Sequence, residues 1–197
     1  AATTPQDEAA RGDLIPGWLA LLVIVLLIGV VGLGAYVVRD LVLAEDETPD
    51  SALDLRIQEY EDYVTDDPNS IPDRRELGFS YQQAGRYDDA IAQYDAVLAI
   101  DQRDTAALYN KGVVYIETDQ LARAEETFWD VLELEPTHAL AAKPLGDYYA
   151  SLEQYRSLVE AVRPAAEARP EMADLQFLMG LAYENTGHPD WAAARYR

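Results

Sequence analysis

A 34-residue period organises the last two thirds of this chain. A glycine recurs at this interval, at Gly78, Gly112, Gly146 and Gly180. A tyrosine follows three residues after each glycine, at Tyr81, Tyr115, Tyr149 and Tyr183. A mostly small position and then a mostly aromatic position come later in each unit: Ala90, Ala124, Leu158 and Ala192, then Tyr94, Phe128, Val162 and Tyr196. Together with Pro136 and Pro170, which close two units, these columns predict a repeat architecture.

The period has the length of a helix pair. Two antiparallel helices of about 14 residues, joined by a tight turn, fit into one such unit. We expect the glycine and the small residue where the paired helices come closest, with the tyrosine on the same face as the glycine. Gly85 and Gly187 suit the turn between the helices, where a left-handed conformation is often required. Asp119 and Glu153 occupy that place in the other two units, so we expect a different turn there.

The third unit departs from the pattern at three positions. Leu158 replaces the small residue, which predicts a wider spacing of that helix pair. Pro144 is compatible with the first helix only if that helix begins late, near Ala142. Pro164 is expected to kink the second helix or to end it early.

A long apolar run lies near the N-terminus. No charged residue occurs between Asp13 and Arg39, and the run covers the 21 residues 18–38. A helix of that length spans about 31 Å, which matches the hydrocarbon core of a bilayer. An aromatic residue lies near each end, where amphipathic rings favour the membrane interface. The sequence therefore predicts a single transmembrane helix over residues 14–39.

Two other interpretations of this run are less favoured. A cleaved signal peptide begins with a basic segment and has a shorter apolar stretch, whereas residues 1–13 carry three acidic side chains and one arginine. A helix that is apolar all round is rarely part of so small a soluble domain. Arg11 and Arg39 flank the run equally, so the positive-inside rule does not orient it. The short N-terminal tail favours a repeat domain outside the cytoplasm.

Gly29 and Gly32 within the run are candidates for close packing against another membrane helix. The alternative is the ordinary glycine content of membrane helices, because no pair of small residues at four-residue spacing occurs among Gly29, Gly32 and Gly34.

The remaining boundaries follow from the period and from charge. The acidic segment 40–54 is expected to be a solvated linker that anionic lipids repel. Tyr60 and Pro68 lie 34 residues before Tyr94 and Gln102, so residues 52–66 are expected to form a lone helix of the second type. The full order is a tail at 1–13, the membrane helix, the linker, a capping half-repeat at 55–70, and repeats at 71–104, 105–138, 139–172 and 173–197, the last incomplete.

At this point the sequence resembles the tetratricopeptide repeat family. The resemblance covers residues 71–197 and is carried by Leu77-Gly78-x-x-Tyr81, Ala90-x-x-x-Tyr94, Gly112-x-x-Tyr115, Ala124-x-x-x-Phe128, Pro136, Leu145-Gly146-x-x-Tyr149, Pro170, Met179-Gly180-x-x-Tyr183 and Ala192-x-x-x-Tyr196. It implies an all-α solenoid of helix-turn-helix units, wound as a right-handed superhelix with a concave groove.

The resemblance also implies which residues line that groove, since the first helix of each pair faces it in this family. These residues are Arg75, Phe79, Gln82, Gln83, Tyr109, Val113, Ile116, Glu117, Lys143, Asp147, Ala150, Phe177, Leu181 and Glu184. Such a mixed surface suits an extended or helical peptide with apolar anchors and some basic residues. The alternative is that the apolar members pack between repeats.

One specificity of the family is disfavoured. Some members bind a C-terminal carboxylate with two asparagines and three cations, at places that fall here on Arg75, Phe79, Asn110, Leu140 and Pro144. Only Arg75 and Asn110 fit. We therefore expect no binding of chaperone C-termini through that set of residues.

Composition argues against catalysis and nucleic-acid binding. The chain has no cysteine, and His138 and His188 lack neighbouring ligand residues at metal-binding spacing. No phosphate-binding loop or nucleophile motif occurs. We expect no enzyme, no metal and no cofactor. The net charge of −21 repels nucleic acid and attracts basic partners.

These observations predict a membrane-anchored interaction protein. It would act as an accessory or scaffold subunit, or as an assembly factor, of a membrane protein complex. One alternative is a transient chaperone or adaptor for extended peptides, for example in cytochrome c maturation or secretion. The other is a structural spacer that uses its convex face.

Overall fold

This computed structural model describes Leu26 and residues 52–196. The chain divides into two units, Ala1–Pro49 and Asp50–Arg197. Within residues 52–196 nine helices follow one another with no strand between them. They are α1 (Ala52–Asp66), α2 (Ile71–Gln83), α3 (Tyr87–Ile100), α4 (Thr105–Glu117), α5 (Leu121–Leu134), α6 (Ala139–Ser151), α7 (Tyr155–Ala168), α8 (Ala173–Asn185) and α9 (Pro189–Arg195).

The helices pack as consecutive pairs in a solenoid. The second helix of each pair packs against the first, as α2 with α3 and α4 with α5. Each second helix also packs against the first helix of the next pair, and α1 packs against α2. This arrangement confirms the all-α solenoid of helical repeats that the 34-residue period predicts.

All four pairs use the same turn. The turn residue is left-handed at Gly85 (φ 72°) and Gly187 (φ 81°), and also at Asp119 and Glu153 (both φ 56°). The amide that follows each turn residue donates to the carbonyl of the column tyrosine, at 2.8 to 2.9 Å. The expectation of a different turn at Asp119 and Glu153 is therefore wrong. The repeated hydrogen bond and the helix packing stabilise this left-handed conformation. For a residue with a Cβ the conformation costs roughly 1–2 kcal/mol.

Each column glycine makes room for the side chain four residues after the small position. A Cβ on Gly78 would lie 2.7 Å from Cε1 of Tyr94, and one on Gly112 would lie 2.7 Å from Cε1 of Phe128. Tyr94 and Phe128 are buried completely or almost completely. The closest neighbour of the glycine is therefore this ring, and the small Ala90 or Ala124 is not among its nearest contacts.

Both prolines of the third unit lie inside helices. α6 begins at Ala139, three residues before the expected start at Ala142, and Pro144 lies within it. The Nδ1 atom of His138 accepts a hydrogen bond from the amide of Ala141 at 3.2 Å and caps this first turn. The prediction that α6 begins late is therefore wrong. The His138 cap and the buried alanines of the first two turns stabilise the helix ahead of Pro144.

α7 continues four residues beyond Pro164, so the expected early end is also wrong. The buried residues Ala161, Val162 and Ala165 lie on both sides of the proline in sequence. Their burial stabilises the helix against the lost hydrogen bond, since packing overrides local propensity. The wider spacing predicted from Leu158 stays a prediction.

The predicted membrane helix at 14–39 lies outside the described residues, apart from Leu26. The same holds for Gly29 and Gly32, for the tail at 1–13 and for most of the linker. Among the helices that the structure describes, none combines the length and the apolar character needed to cross a bilayer.

Candidate binding groove

The predicted groove residues lie on the first helices of the pairs, α2, α4, α6 and α8. None of them is fully buried. The largest apolar members are strongly exposed: Phe79 by 40%, Ile116 by 41% and Phe177 by 58%. Exposed apolar side chains on the first helices are available as anchors for a partner. The assignment of these residues to a binding site stays a prediction, and their exposure is compatible with that assignment.

Two of the polar groove residues connect the first repeat to the second. Gln82 donates from Nε2 to Oε1 of Glu117 at 3.1 Å. Arg75 lies 3.7 Å, Nη1 to Oδ1, from Asp104, which caps α4. At this distance, and with the Arg75 side chain 37% exposed, the ion pair contributes little to stability. Arg75 and Gln82 therefore contact the next repeat, and a ligand would have to compete with the ion pair of Arg75 and with the hydrogen bond of Gln82.

Tyr109 and Val113 are half-buried and pack against the core. The ring of Tyr109 lies 6.0 Å from Phe128 and 5.6 Å from His138, centroid to centroid. Phe177 contacts the ring of Tyr196 at 6.0 Å but remains largely exposed. The packing interpretation therefore applies in part to Tyr109 and Val113, and far less to Phe177.

Lys143 and Asp147 form an ion pair within α6. Nζ of Lys143 donates to Oδ2 of Asp147 at 2.7 Å. This hydrogen bond raises the pKa of Lys143 above its usual range. In the third repeat the groove therefore presents a paired cation and carboxylate, with no net charge from the two.

In the fourth repeat the predicted groove residue Leu181, on α8, is half-buried.

An apolar cavity of about 310 Å³ opens between α4, α5 and α6. It is lined by Ile116, Leu121, Ala124, Glu125, Phe128, Pro144, Leu145, Asp147, Tyr148 and Ser151. The cavity lies where the second and third repeats meet. There α4 and α6 make little contact, whereas α6 and α8 pack closely.

Two of the lining residues, Ile116 and Asp147, were predicted from sequence. Leu121, Tyr148 and Ser151 were missed, because nothing in the period marks a gap between two repeats. The one available signal was Pro144, a departure from the pattern that lies on the cavity wall.

A buried polar network supports the wall beside Glu125. Tyr149 donates from its hydroxyl to Oε1 of Glu125 at 2.5 Å and accepts a hydrogen bond from Nε1 of Trp129 at 2.8 Å. Burial and the hydrogen bond to Glu125 raise the pKa of Tyr149 to about 12. The network fixes the Glu125 carboxylate at the edge of an otherwise apolar cavity.

Comparison with known proteins agrees with this geometry. Residues 81–145 match the model of a tetratricopeptide repeat family. A crystal structure of MamA is similar with a TM-score of 0.61 and 26% identity, over 71% of this chain and 82% of MamA. These findings support a relationship between the repeat region of this chain and the tetratricopeptide repeat family. Proteins of this family bind protein partners or peptides and are generally non-enzymatic.

Two further relatives place limits on the comparison. The chloroplastic tetratricopeptide repeat protein PYG7 of Arabidopsis thaliana is 30% identical over 153 residues, which are 74% of this chain and 48% of PYG7. The chain thus spans about half the length of this relative. YrrB, described as a tetratricopeptide repeat protein with an unusual peptide-binding site, has a TM-score of 0.63 at 19% identity, over 71% of this chain and 72% of YrrB. That likeness concerns the fold alone.

Proposed function

We propose that this chain is a membrane-anchored tetratricopeptide repeat protein that holds a partner protein, as an accessory subunit or assembly factor of a membrane complex. The groove would bind an extended or helical segment of the partner. The observation that carries the proposal is the apolar cavity between α4, α5 and α6, which opens among groove residues and has Glu125 and Asp147 at its edge.

The cavity suits a large apolar side chain. Its volume of about 310 Å³ is at the lower end of the range for small-molecule pockets, which is roughly 300–1,000 Å³. Its walls are mostly apolar, so an inserted leucine or phenylalanine would displace water from the exposed side chains of Ile116 and Leu121. Central apolar anchors in such pockets dominate the binding energy of many interfaces.

Charge favours basic residues next to that anchor. Residues 52–151, which include the cavity, carry 21 acidic and 8 basic side chains. A field of this sign attracts basic segments and repels acidic ones. The partner segment is thus expected to place lysine or arginine within a few residues of its apolar anchor. The peptide-binding site described for YrrB, a protein of the same fold, adds support by analogy.

The membrane anchor rests on the sequence. The 21-residue apolar run at 18–38 has the length of a bilayer span. The acidic linker that follows would hold the repeats away from anionic lipids. We further propose that the repeat domain lies outside the cytoplasm.

Gentle detergent extraction of the tagged full-length protein tests the subunit role. A stoichiometric partner that remains bound in about 0.5 M salt is expected, because salt at that level screens long-range attraction between charges but leaves an apolar interface intact. Recovery of the protein alone, or of many clients that salt removes, would instead support the transient adaptor.

A matched pair of variants tests the cavity. Ile116→Lys introduces a cation into the cavity and should abolish partner binding. Ile100→Lys is the control, because Ile100 is 45% exposed, also lies in the last turn of its helix and is not part of the cavity wall. Equal binding by both variants would favour the spacer function, with contacts through the convex face.

A further inference from the structure

A second surface, between α7 and α9, differs from the groove in chemistry and position. It surrounds a cavity of about 610 Å³. The lining residues are Tyr155, Arg156, Val159, Arg163, Tyr183, Asn185, Thr186, His188 and Trp191. They include two arginines and four aromatic or imidazole rings, and no carboxylate occurs among these described lining residues. We propose that this surface binds an acidic segment of a partner protein.

The two arginines are positioned to act together. Arg156 and Arg163 are seven residues apart on α7, which places them on the same side of the helix about 10.5 Å from each other along its axis. Within the described part of the chain neither side chain forms a hydrogen bond or an ion pair. Glu160, which lies between them in sequence, pairs with neither. Both guanidinium groups are therefore free to bind carboxylates, which they match in bidentate geometry.

Most other cations of the repeat domain have a side-chain partner, although Arg103 and Arg169 have none among the described residues. Arg86 pairs with Asp89 at 2.7 Å, and Lys111 pairs with Asp95 at 2.6 Å. The whole chain has 36 acidic and 15 basic side chains. Arg156 and Arg163 differ from the other unpaired arginines because both line one cavity that has no carboxylate among its described lining residues, which leaves them available to an external anion.

Trp191 supplies an apolar anchor beside the arginines. Its side chain is 57% exposed. Its ring stacks on His188, with centroids 4.6 Å apart and an angle of 16°, and meets Tyr183 edge-on at 5.4 Å. These contacts hold the exposed indole in one orientation, so little side-chain entropy is lost when a partner covers it. Tryptophan, tyrosine and arginine are the residues that most often dominate interface energies.

The segment that carries this surface is also less acidic than the preceding segment, which carries the cavity between α4, α5 and α6. Residues 152–197 carry 7 acidic and 5 basic side chains, against 21 and 8 in residues 52–151. At physiological ionic strength the screening length is about 8 Å, so an acidic segment on α7 responds mainly to its local surroundings. An acidic partner segment is thus compatible with the −21 net charge of the chain.

Fluorescence anisotropy of full-length protein in detergent provides the test. The probe is a fluorescein-labelled peptide of eight glutamates with one central phenylalanine. Its lysine counterpart has the chemistry proposed for the groove, so its binding should not respond to substitutions at Arg156 and Arg163. We expect the acidic peptide to bind and to change the tryptophan emission of the chain, and Trp191→Phe should remove that change. Arg156→Gln with Arg163→Gln should weaken binding by about tenfold, because two charge-assisted contacts are lost.

The control variant removes the same charge elsewhere. Arg103 and Arg169 are exposed, have no side-chain partner among the described residues, and do not line the cavity. Arg103→Gln with Arg169→Gln should change the affinity less than twofold. Two results would overturn the proposal: no binding of the acidic peptide, or equal weakening by both double variants.

Discussion

The second and third repeats place their glycines in the same way but fill the space beside them differently. In the second repeat Ala124 is small and Phe128 is large, and the ring of Phe128 lies against Gly112. In the third repeat Leu158 is large and Val162 is small. All four of these side chains are buried. Large and small residues have exchanged places, so what the repeat preserves is the filled volume and not the residue at each position.

The exchange also alters how the third repeat meets its neighbours. A Cβ on Gly146 would lie 2.7 Å from Val162 and 2.8 Å from Leu178, which belongs to α8 of the next repeat. The smaller valine therefore leaves room that the following repeat fills. α6 packs closely on α8 and makes little contact with α4, and the apolar cavity lies on that looser side. A packing change within one helix pair thus accompanies the opening of the proposed binding site.

The largest expected effect is that of Leu158→Ala. The side chain is completely buried, so its truncation leaves a cavity and should lower the free energy of unfolding by about 2–5 kcal/mol. Chemical unfolding of the full-length protein in detergent, followed by far-UV circular dichroism, measures the loss. Adding Val162→Phe recreates the second repeat and should recover part of the loss. A double variant no more stable than Leu158→Ala would contradict the exchange of volumes.

Gly112→Ala is expected to come next, with a loss of about 1–3 kcal/mol from overpacking against Phe128. The loss should appear although alanine favours helices over glycine by about 1 kcal/mol. A double-mutant cycle with Phe128→Val measures the coupling in the same unfolding assay. We expect the two substitutions to be less destabilising together than the sum of their separate effects. Strict additivity would mean that the Phe128 ring is not what excludes the Cβ.

The helix caps differ between the same two repeats. Oδ1 of Asp104 accepts a hydrogen bond from the amide of Ala107 at 2.8 Å, whereas Nδ1 of His138 accepts the equivalent bond from Ala141 at 3.2 Å. Asp104→Ala should lower the unfolding free energy by about 1 kcal/mol. His138→Ala should cost less, because its bond is longer. The melting temperatures of both variants give the order, and the reverse order would show that the length of the capping hydrogen bond does not determine the contribution of the cap.

The smallest effect expected near neutral pH is that of substituting a tyrosine of the repeat pattern. This effect becomes measurable only at alkaline pH. Burial and a hydrogen bond to a carboxylate raise the pKa of Tyr81 and of Tyr149 to about 12. Their contribution to stability is therefore complete below pH 10, the ordinary pKa of tyrosine, and is lost as the pH rises from about 10 to 12. Tyr149→Phe should make stability less dependent on pH in that window. An unchanged alkaline profile would exclude Tyr149 as a contributor.

Many of the proposed groove residues could be identified from the sequence alone. The period identified the helices that carry the groove residues, and Phe79, Ile116 and Phe177 are exposed on them. The period did not reveal that Arg75 and Gln82 contact the next repeat, because long polar side chains choose partners according to distances between helices. Nor did it reveal the cavity, which depends on how far two consecutive repeats separate.

The sequence by itself determined the helical class, the 34-residue unit and the face of each helix that is buried. These properties follow from local periodicity, since residues three or four apart share one side of a helix. The tertiary structure alone decided that α6 and α7 continue through Pro144 and Pro164, and that Asp119 and Glu153 adopt a left-handed turn. It also brought Trp191 to the two arginines of α7. At the prolines and the turns, helix packing together with local hydrogen bonds outweighs a local preference of only a few kcal/mol.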